Sequence, residues 1–420
     1  MPFELFIGLR YLKAKRKSTF ISIITFISTA GVSLGVMALI VVLAVMTGFE
    51  NDLKEKILGT NAHIVVIQNG APMGHYRDMM EKLKRFKGVE AATPFIYNQV
   101  MLSSGKNVSG VVLRGIDVAT DRQVTRLSKS VVEGSVDGLD PVMGQGKDAT
   151  PGLMVGKELA KHLNLFLGDT VNVISPMGNI TPLGMMPRMK PFKVTGIFNT
   201  GMFEYDSTLA YISIDQAQRF FDLGDTVTGI QLKVADVYHT GELAQSINNE
   251  MGGNLYARDW MQMNKNILFA LKTEKIVMFI ILTLIVLVAA FGIASTLFMV
   301  VMEKTRDIAI LKSMGATGAS IMKIFVLEGL IIGVIGTVVG VVSGLLVALN
   351  LGPIIDVIQK MTGQNFFSKD IYYLDHFPSL VVPSDVVLIS CTAVLISFLA
   401  TLYPAWQASK MLPAEALRYE

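Results

Sequence analysis

Four long apolar runs constrain this chain more than any other feature. Phe20 to Phe49, Ile276 to Val301, Leu327 to Leu351 and Val386 to Tyr403 are each long enough to cross a hydrocarbon core of roughly 30 Å, which takes about 20 helical residues. None carries a charge except Glu328 at the edge of the third, so the spans lack the buried ionisable residues that mark ion-coupled transporters. Over the whole chain 51% of residues are apolar and 17% charged, against a charged share of about 25% in soluble domains. A membrane protein is the reading.

Basic residues set its orientation. Arg10, Lys13, Lys15, Arg16 and Lys17 precede the first run, Lys304, Arg306, Lys312 and Lys323 lie between the second and third, and Lys410 and Arg418 follow the fourth; both termini are therefore expected in the cytoplasm. The first run is too long for a signal-peptide core and has no clear cleavage site after it, which makes it an uncleaved anchor. The expected organisation is a cytoplasmic amphipathic N-terminal segment (1–19), a first span (20–49), a large extracytoplasmic domain (50–275), a second span (276–301), a cytoplasmic loop (302–326), a third span (327–351), an outer loop (352–385), a fourth span (386–405) and a cytoplasmic tail (406–420). Pro2 to Lys17 places Phe3, Phe6, Ile7 and Leu12 near one face, which suits a helix in the membrane interface or an extension of the first span. The single Cys391 lies in the fourth span, so no intrachain disulfide can form. The net charge of +3 reflects topology and implies no nucleic-acid partner.

The outer domain reads as α+β. Strands are expected at His63 to Gln68, Phe95 to Leu102, Gly110 to Ile116, Leu153 to Val155, Thr170 to Ile174, Phe192 to Phe198, Thr208 to Ile214 and Gly229 to Val234, with short helices at Tyr76 to Arg85, Lys157 to Leu163, Asp215 to Phe221 and Gly241 to Met251. Asp137 to Gly152 reads as a surface loop, and a two-lobed split around residues 105 to 215 fits the pattern. Between the fifth and sixth strands comes Ser175-Pro176-Met177-Gly178-Asn179-Ile180-Thr181-Pro182-Leu183-Gly184-Met185-Met186-Pro187-Arg188-Met189-Lys190-Pro191. Proline lacks an N–H and fixes φ, so this segment, about 175–191, is expected to leave the sheet as a stiffened projecting loop. Its methionines would offer adaptable apolar contact to something outside; an ordinary long hairpin loop is the alternative.

The third span carries Gly329, Gly333, Gly336, Gly340 and Gly344 along one face, and the first carries Gly31 and Gly35. Such stripes let helices approach at backbone distance, either inside the bundle or between subunits. No phosphate-binding loop occurs: Gly144-Gln145-Gly146-Lys147 is followed by Asp148 where a hydroxyl should hold magnesium. The five histidines have no metal-ligand spacing, and no HExxH or GxSxG string occurs. No catalytic residue, cofactor or metal site is expected, and transport would need an external motor. In the cytoplasmic loop a helix with Ile308, Leu311 and Met314 would present an apolar edge beside Glu303, Lys304, Arg306, Asp307 and Lys312, with Gly315 as its stop. That edge suits a docking partner or the lipid surface.

The string Glu303-Lys304-Thr305-Arg306-Asp307-Ile308-Ala309-Ile310-Leu311-Lys312-Ser313-Met314-Gly315-Ala316 resembles the coupling-helix signature of the MacB/FtsX superfamily of ABC permeases. Phe6-Ile7-Gly8-Leu9-Arg10-Tyr11, Gly35 to Leu39 with Val45-Met46-Thr47-Gly48-Phe49-Glu50, and Pro413 to Glu420 narrow the resemblance to the lipoprotein-releasing permeases LolC and LolE. It implies an α-helical membrane protein with four transmembrane helices and a large α+β periplasmic domain between the first two, in the bacterial inner membrane. It implies as partners a dimer of an ABC ATPase, LolD, a second permease (LolE-like or a second copy of this chain), the periplasmic carrier LolA and a triacylated lipoprotein drawn from the membrane lipids. Within it, Pro176, Met177, Thr181, Pro182, Leu183, Gly184, Met185, Pro187, Arg188 and Lys190 resemble a carrier-capturing hook of the LolC type, in which the two cations would meet acidic groups of the carrier. Glu303, Lys304, Arg306, Asp307, Ile308, Leu311, Met314 and Gly315 would couple to the ATPase. Val45, Met46, Phe49, Leu268 and Phe269 would line the lipoprotein-receiving surface, or simply face lipid and neighbouring helices. A MacB-like efflux or FtsX-like regulatory permease, and a receptor or scaffold without transport, are the competing readings.

Overall fold

The computed structural model describes residues 4, 19–140, 150–181, 184–252, 254–363 and 378–412, with the side chains of 19–22, 60 and 177–185 left undescribed. The strings Phe6 to Tyr11, Gly144 to Lys147 and Pro413 to Glu420, and the face of Pro2 to Lys17, lie outside these residues. Among the described residues a helical unit takes in those up to Asn51 and from Phe269 on, and a sheet unit takes in Asp52–Leu268.

The first helix, α1 (Thr19–Thr60), leads to β1 (Ile64–Gln68), α2 (Tyr76–Lys84), β2 (Val89–Ser104), β3 (Asn107–Ile116), α3 (Val118–Val124), β4 (Val131–Gly134), β5 (Gly152–Gly156), α4 (Lys157–Leu163), β6 (Thr170–Thr181), β7 (Gly184–Phe198), α5 (Phe203–Thr208), β8 (Leu209–Ser213), α6 (Ile214–Phe221), β9 (Gly229–Val234), α7 (Thr240–Met251), β10 (Leu255–Asp259) and the turn α8 (Trp260–Met263). The strands run in the order β10-β1-β9-β2-β3-β8-β5-β7-β4. Because β6 pairs both β2 and β7, the strands β2, β3, β8, β5, β7 and β6 close into a ring. The pairs β3/β8 and β5/β7 are parallel. The long β2 serves two lobes: its first half pairs β9 of the flank, and its second half pairs β3 within the ring.

Period-two alternation sends Ile64, Val66, Ile96, Leu113, Ile230 and Leu232 to one face, where Leu83 of α2 and Ala244 and Ile247 of α7 close the core. Each fully buried aliphatic side chain stabilises this packing by about 1.5–3 kcal/mol. Val65, Ile67, Phe95, Val112 and Gln231 fall on the other face. Five described elements of the sheet unit were not expected from sequence: β4, β10, α3, α5 and α8. All are short, and β10 reads Leu-Tyr-Ala-Arg-Asp, a pattern that only its pairing with β1 identifies as a strand.

The helical unit continues with α9 (Lys265–Glu303), α10 (Thr305–Ser313), α11 (Gly318–Leu349), α12 (Leu351–Thr362) and α13 (Pro383–Lys410). Four of its helices, α1, α9, α11 and α13, are long and apolar enough to cross a membrane. The glycine stripe is used inside the bundle. A Cβ on Gly329 or Gly333 would collide with Thr401 or Ser397 of α13, and one on Gly336, Gly340 or Gly344 would press on Val32, Val36 or Ile40 of α1. Gly31 and Gly35 face Ala289 and Val286 of α9, and Ser28 and Thr296 share a 2.7 Å hydrogen bond between α1 and α9.

Two expectations need correction here. Glu328 lies well inside its helix, since α11 begins at Gly318; it is 4% exposed, and its Oε2 has no partner among the described residues. The spans thus do contain a buried ionisable side chain. Residues 351–362 form the helix α12 rather than a loop, with Val357, Ile358 and Met361 exposed.

Candidate functional site

Residues 175–191 are not the loop that their prolines predict. β6 and β7 run through them as an antiparallel ribbon that pairs Ser175 with Arg188, Asn179 with Met186, Ile180 with Met185 and Thr181 with Gly184. Pro176 falls in a bulge between Ser175 and Asn179, opposite Pro187, and Pro191 pairs with Asn172. A two-stranded ribbon accepts prolines wherever the missing N–H would have faced away from the partner, and bulges absorb the remainder. β2 accompanies β6 only at Asn172, Val173 and Ile174, so beyond them the ribbon has no third strand among the described residues. Pro182 and Leu183 lie outside those residues, and the side chains of Met177, Thr181 and Met185 are undescribed. Met186 and Met189 are 57% and 62% exposed.

The two cations brace the ribbon's root instead of pointing outward. Arg188 donates to the Phe220 carbonyl at 3.2 Å and to Asp222 Oδ2 at 3.3 Å, and Lys190 Nζ donates to Gln216 Oε1 at 3.1 Å. Burial, with the Arg219 charge behind it, pulls Lys190 below the usual lysine value. Arg188 reaches the C-terminal end of α6, where Asp222 caps the helix in the left-handed region (φ 58°), and Lys190 reaches Gln216 in its first turn. Phe192 meets Phe220 edge-on at 6.0 Å beneath them.

The loop helix α10 faces the opposite way from its expected presentation. Ile308 and Ala309 are buried against Val300, Val301, Ile321, Phe325, Ala405 and Ala408, with Leu311 packed at the edge of the same cluster. Glu303, Arg306, Ile310 and Met314 form the exposed face, with Met314 79% exposed. Lys304 pairs with Asp307 at 3.2 Å. Gly315 at φ 100° ends the helix: its N–H donates to the Lys312 carbonyl and that of Ala316 to the Leu311 carbonyl, the two bonds of a Schellman stop. Lys312 Nζ caps the end of α13 through the carbonyls of Ser409 (2.6 Å) and Met411 (2.8 Å), where a cation complements the helix dipole. On α1, Val45 and Met46 are half-buried and Phe49 is exposed; on α9, Leu268 is half-buried and Phe269 is 67% exposed.

Two family models match the chain: a MacB-like periplasmic core domain over residues 25–250 and an FtsX-like permease C-terminal domain over residues 279–413. The lipoprotein-releasing system transmembrane protein LolC of Neisseria meningitidis is 39% identical over 99% of both chains. The chain belongs to the LolC/LolE family. LolE of Haemophilus influenzae is 31% identical over 98% of both chains. The crystal structure of the periplasmic region of MacB from Actinobacillus actinomycetemcomitans aligns to 50% of this chain and 94% of its own, at 16% identity and a TM-score of 0.33. As a LolC/LolE protein the chain is a membrane protein with a MacB-like periplasmic domain.

Sequence reasoning missed a clasp in this LolC/LolE chain. Lys275 Nζ of α9 donates to Thr47 Oγ1 of α1 at 3.1 Å and to Asp385 Oδ2 of α13 at 2.9 Å. The strand of chain before α13 lies directly on α1: a Cβ on Gly48 would stand 2.7 Å from the Pro378 carbonyl carbon, and the Leu380 N–H donates to the Ala44 carbonyl at 2.9 Å. The signal was present as Lys275 and Asp385, the charged residues that directly precede the second and fourth apolar runs. Among the described residues no group of His, Cys, Asp or Glu could hold a metal ion.

Proposed function

We propose that this chain is the permease subunit of an ATP-driven machine that releases lipoproteins from the bacterial inner membrane to a periplasmic carrier of the LolA kind. Identity to LolC along the whole length of both chains carries the reading. The relative is named for lipoprotein release, and both halves of the present chain align with it.

The physical task explains why such a subunit needs a neighbour. Each buried methylene of an acyl chain holds it in the bilayer by about 0.8 kcal/mol, so a triacylated protein does not leave unaided. Work has to enter from a dimeric ATPase of the LolD kind, and the exposed face of α10, with Arg306, Ile310 and Met314, is where it docks in this reading. The lever is α1, whose 42 residues span about 63 Å at about 1.5 Å per residue, well beyond a hydrocarbon core of about 30 Å. The termini and α10 lie on the ATPase side, the sheet unit lies in the periplasm, and the β6–β7 ribbon presents Met186 and Met189 to the carrier. The second permease is a LolE-like chain or another copy of this one.

Extraction from membranes in mild detergent tests the reading. An ATPase subunit should co-purify, and a photoreactive residue at 186 should crosslink to the carrier. Recovery of the chain without an ATPase under conditions that keep other permease complexes whole contradicts it.

A further inference from the structure

The sheet unit contains a cavity of about 440 Å³ on the face turned away from α2 and α7, within the range of about 300–1,000 Å³ typical of small-ligand pockets. Val65, Ile67, Phe95, Val112, Leu209 and Met263 give it apolar walls, and Tyr97 and Tyr205 stand among them. Arg114 is the only charged lining residue among the described residues. Its guanidinium carbon lies 6.0 Å from the Phe95 ring centre and 5.8 Å from that of Tyr211; the guanidinium hydrogen-bonds the Tyr211 side chain and feels the buried Asp121 carboxylate, while its Nε has no hydrogen-bond partner among the described residues. Arg114 is 7% exposed. Gln231, also lining the cavity and 3% exposed, holds an Oε1 without a partner among the described residues. Asn61 donates to the Tyr205 hydroxyl at 2.7 Å at the same wall.

A protein rarely leaves a buried guanidinium N–H unpaired, and an oxygen acceptor on a guest would satisfy it. A lining that combines apolar side chains with one cation and several hydrogen-bond donors matches an apolar chain that carries an oxygen acceptor. The absence of any carboxylate from the lining rules against a cationic guest. We propose that this cavity is a fatty-acyl site, in which Arg114 meets the carbonyl or carboxylate oxygens and the walls of β1, β2, β3 and β8 hold the chain. The inference rests on the lipoprotein-release reading for its choice of an acyl chain over other apolar guests. It adds a resting place for one chain within the periplasmic domain, apart from the helical unit.

The test uses the full-length chain with its ATPase in lipid nanodiscs and a diazirine analogue of palmitate as probe. Labelling is mapped by mass spectrometry. The account expects crosslinks on the peptides of β2 and α5 that carry Tyr97 and Tyr205, competed by excess palmitate but not by hexadecane. Arg114→Leu should lower that labelling at least about tenfold, a loss of about 1.4 kcal/mol, and leave labelling of the long helices by the same probe unchanged. Since a buried arginine can be needed for folding, Val112→Trp, which fills the cavity from β3, provides a second variant with the same expected loss. Crosslinks absent from these peptides, or equal competition by hexadecane, overturn the acyl site. Release of lipoprotein is followed in the same preparation: absent cavity labelling with normal release removes this inference alone, whereas absent release in the unmodified complex removes the functional reading beneath it.

Discussion

At the scale of single residues, the loop helix divides into one face that packs and one that is exposed. Ile308 is 1% exposed and Met314 79%, so the two positions should respond differently to the same substitution. Ile308→Asp buries an unpaired charge and should destabilise the helical unit by several kcal/mol, on the order of 3–5 by analogy with broken buried pairs, lowering yield and thermal midpoint. Met314→Asp should leave the midpoint unchanged and weaken recovery of the ATPase; equal loss of stability in both would show that the faces have been misassigned. The sequence made Ile308, Leu311 and Met314 equally apolar, and only packing against Phe325 and Ala405 separates them. His63 offers a different single-residue test. Burial holds it below its ordinary value of 6.5, against a weaker opposing effect of the Val234 carbonyl, and its Nδ1 accepts the Val234 N–H at 3.1 Å. The unfolded chain therefore takes up the proton first as pH falls through about 6.5, and stability drops from there down to the folded-state value. Hydrogen exchange at β1 and β9, corrected for intrinsic rate, should show less protection at about pH 5.5 than at about pH 7.5, and His63→Gln should flatten that dependence.

At the scale of elements, the ribbon and the clasp are separable devices. Deleting residues 177–186 removes the far end of β6 and β7 but leaves the pairing at Thr170 to Ile174 and the Arg188 and Lys190 braces. Carrier crosslinking should vanish while ATPase co-purification persists; carrier capture by the shortened chain would move the capture site elsewhere. For the clasp, Lys275→Met should cost about 1.5–3 kcal/mol, the worth of hydrogen bonds to a charged group. Part of that loss should return in Lys275→Met with Asp385→Leu, since the single change strands a half-buried carboxylate; thermal midpoints of the four chains of the cycle measure it. Some of these elements were legible in the residues. Alternation in β1, β3 and β9 and the helical periodicity of α6 follow from local chemistry, so they could be read before any partner was known. The ribbon could not, because proline's cost depends on which edge of a strand faces a neighbour. β10 could not, because its two charged residues become a strand only against β1. The glycine stripe named a close helix contact, yet its partners, Val36 on α1 and Thr401 on α13, are hundreds or tens of residues away in sequence.

At the scale of the whole molecule, the chain passes between a helical unit suited to the bilayer and a MacB-like periplasmic sheet unit within two long helices, α1 and α9, and one face of the loop helix is exposed. The central claim is that it converts a neighbour's ATP-driven movement into the removal of acylated proteins from the membrane. Reconstitution in proteoliposomes with a triacylated lipoprotein measures this most directly, by the transfer of lipoprotein to soluble carrier. The account predicts transfer only when the ATPase, ATP and the carrier are all present, and none when the ATPase is omitted. Transfer by the permease alone, or full ATP turnover in the assembled complex with no lipoprotein leaving the bilayer, would contradict it.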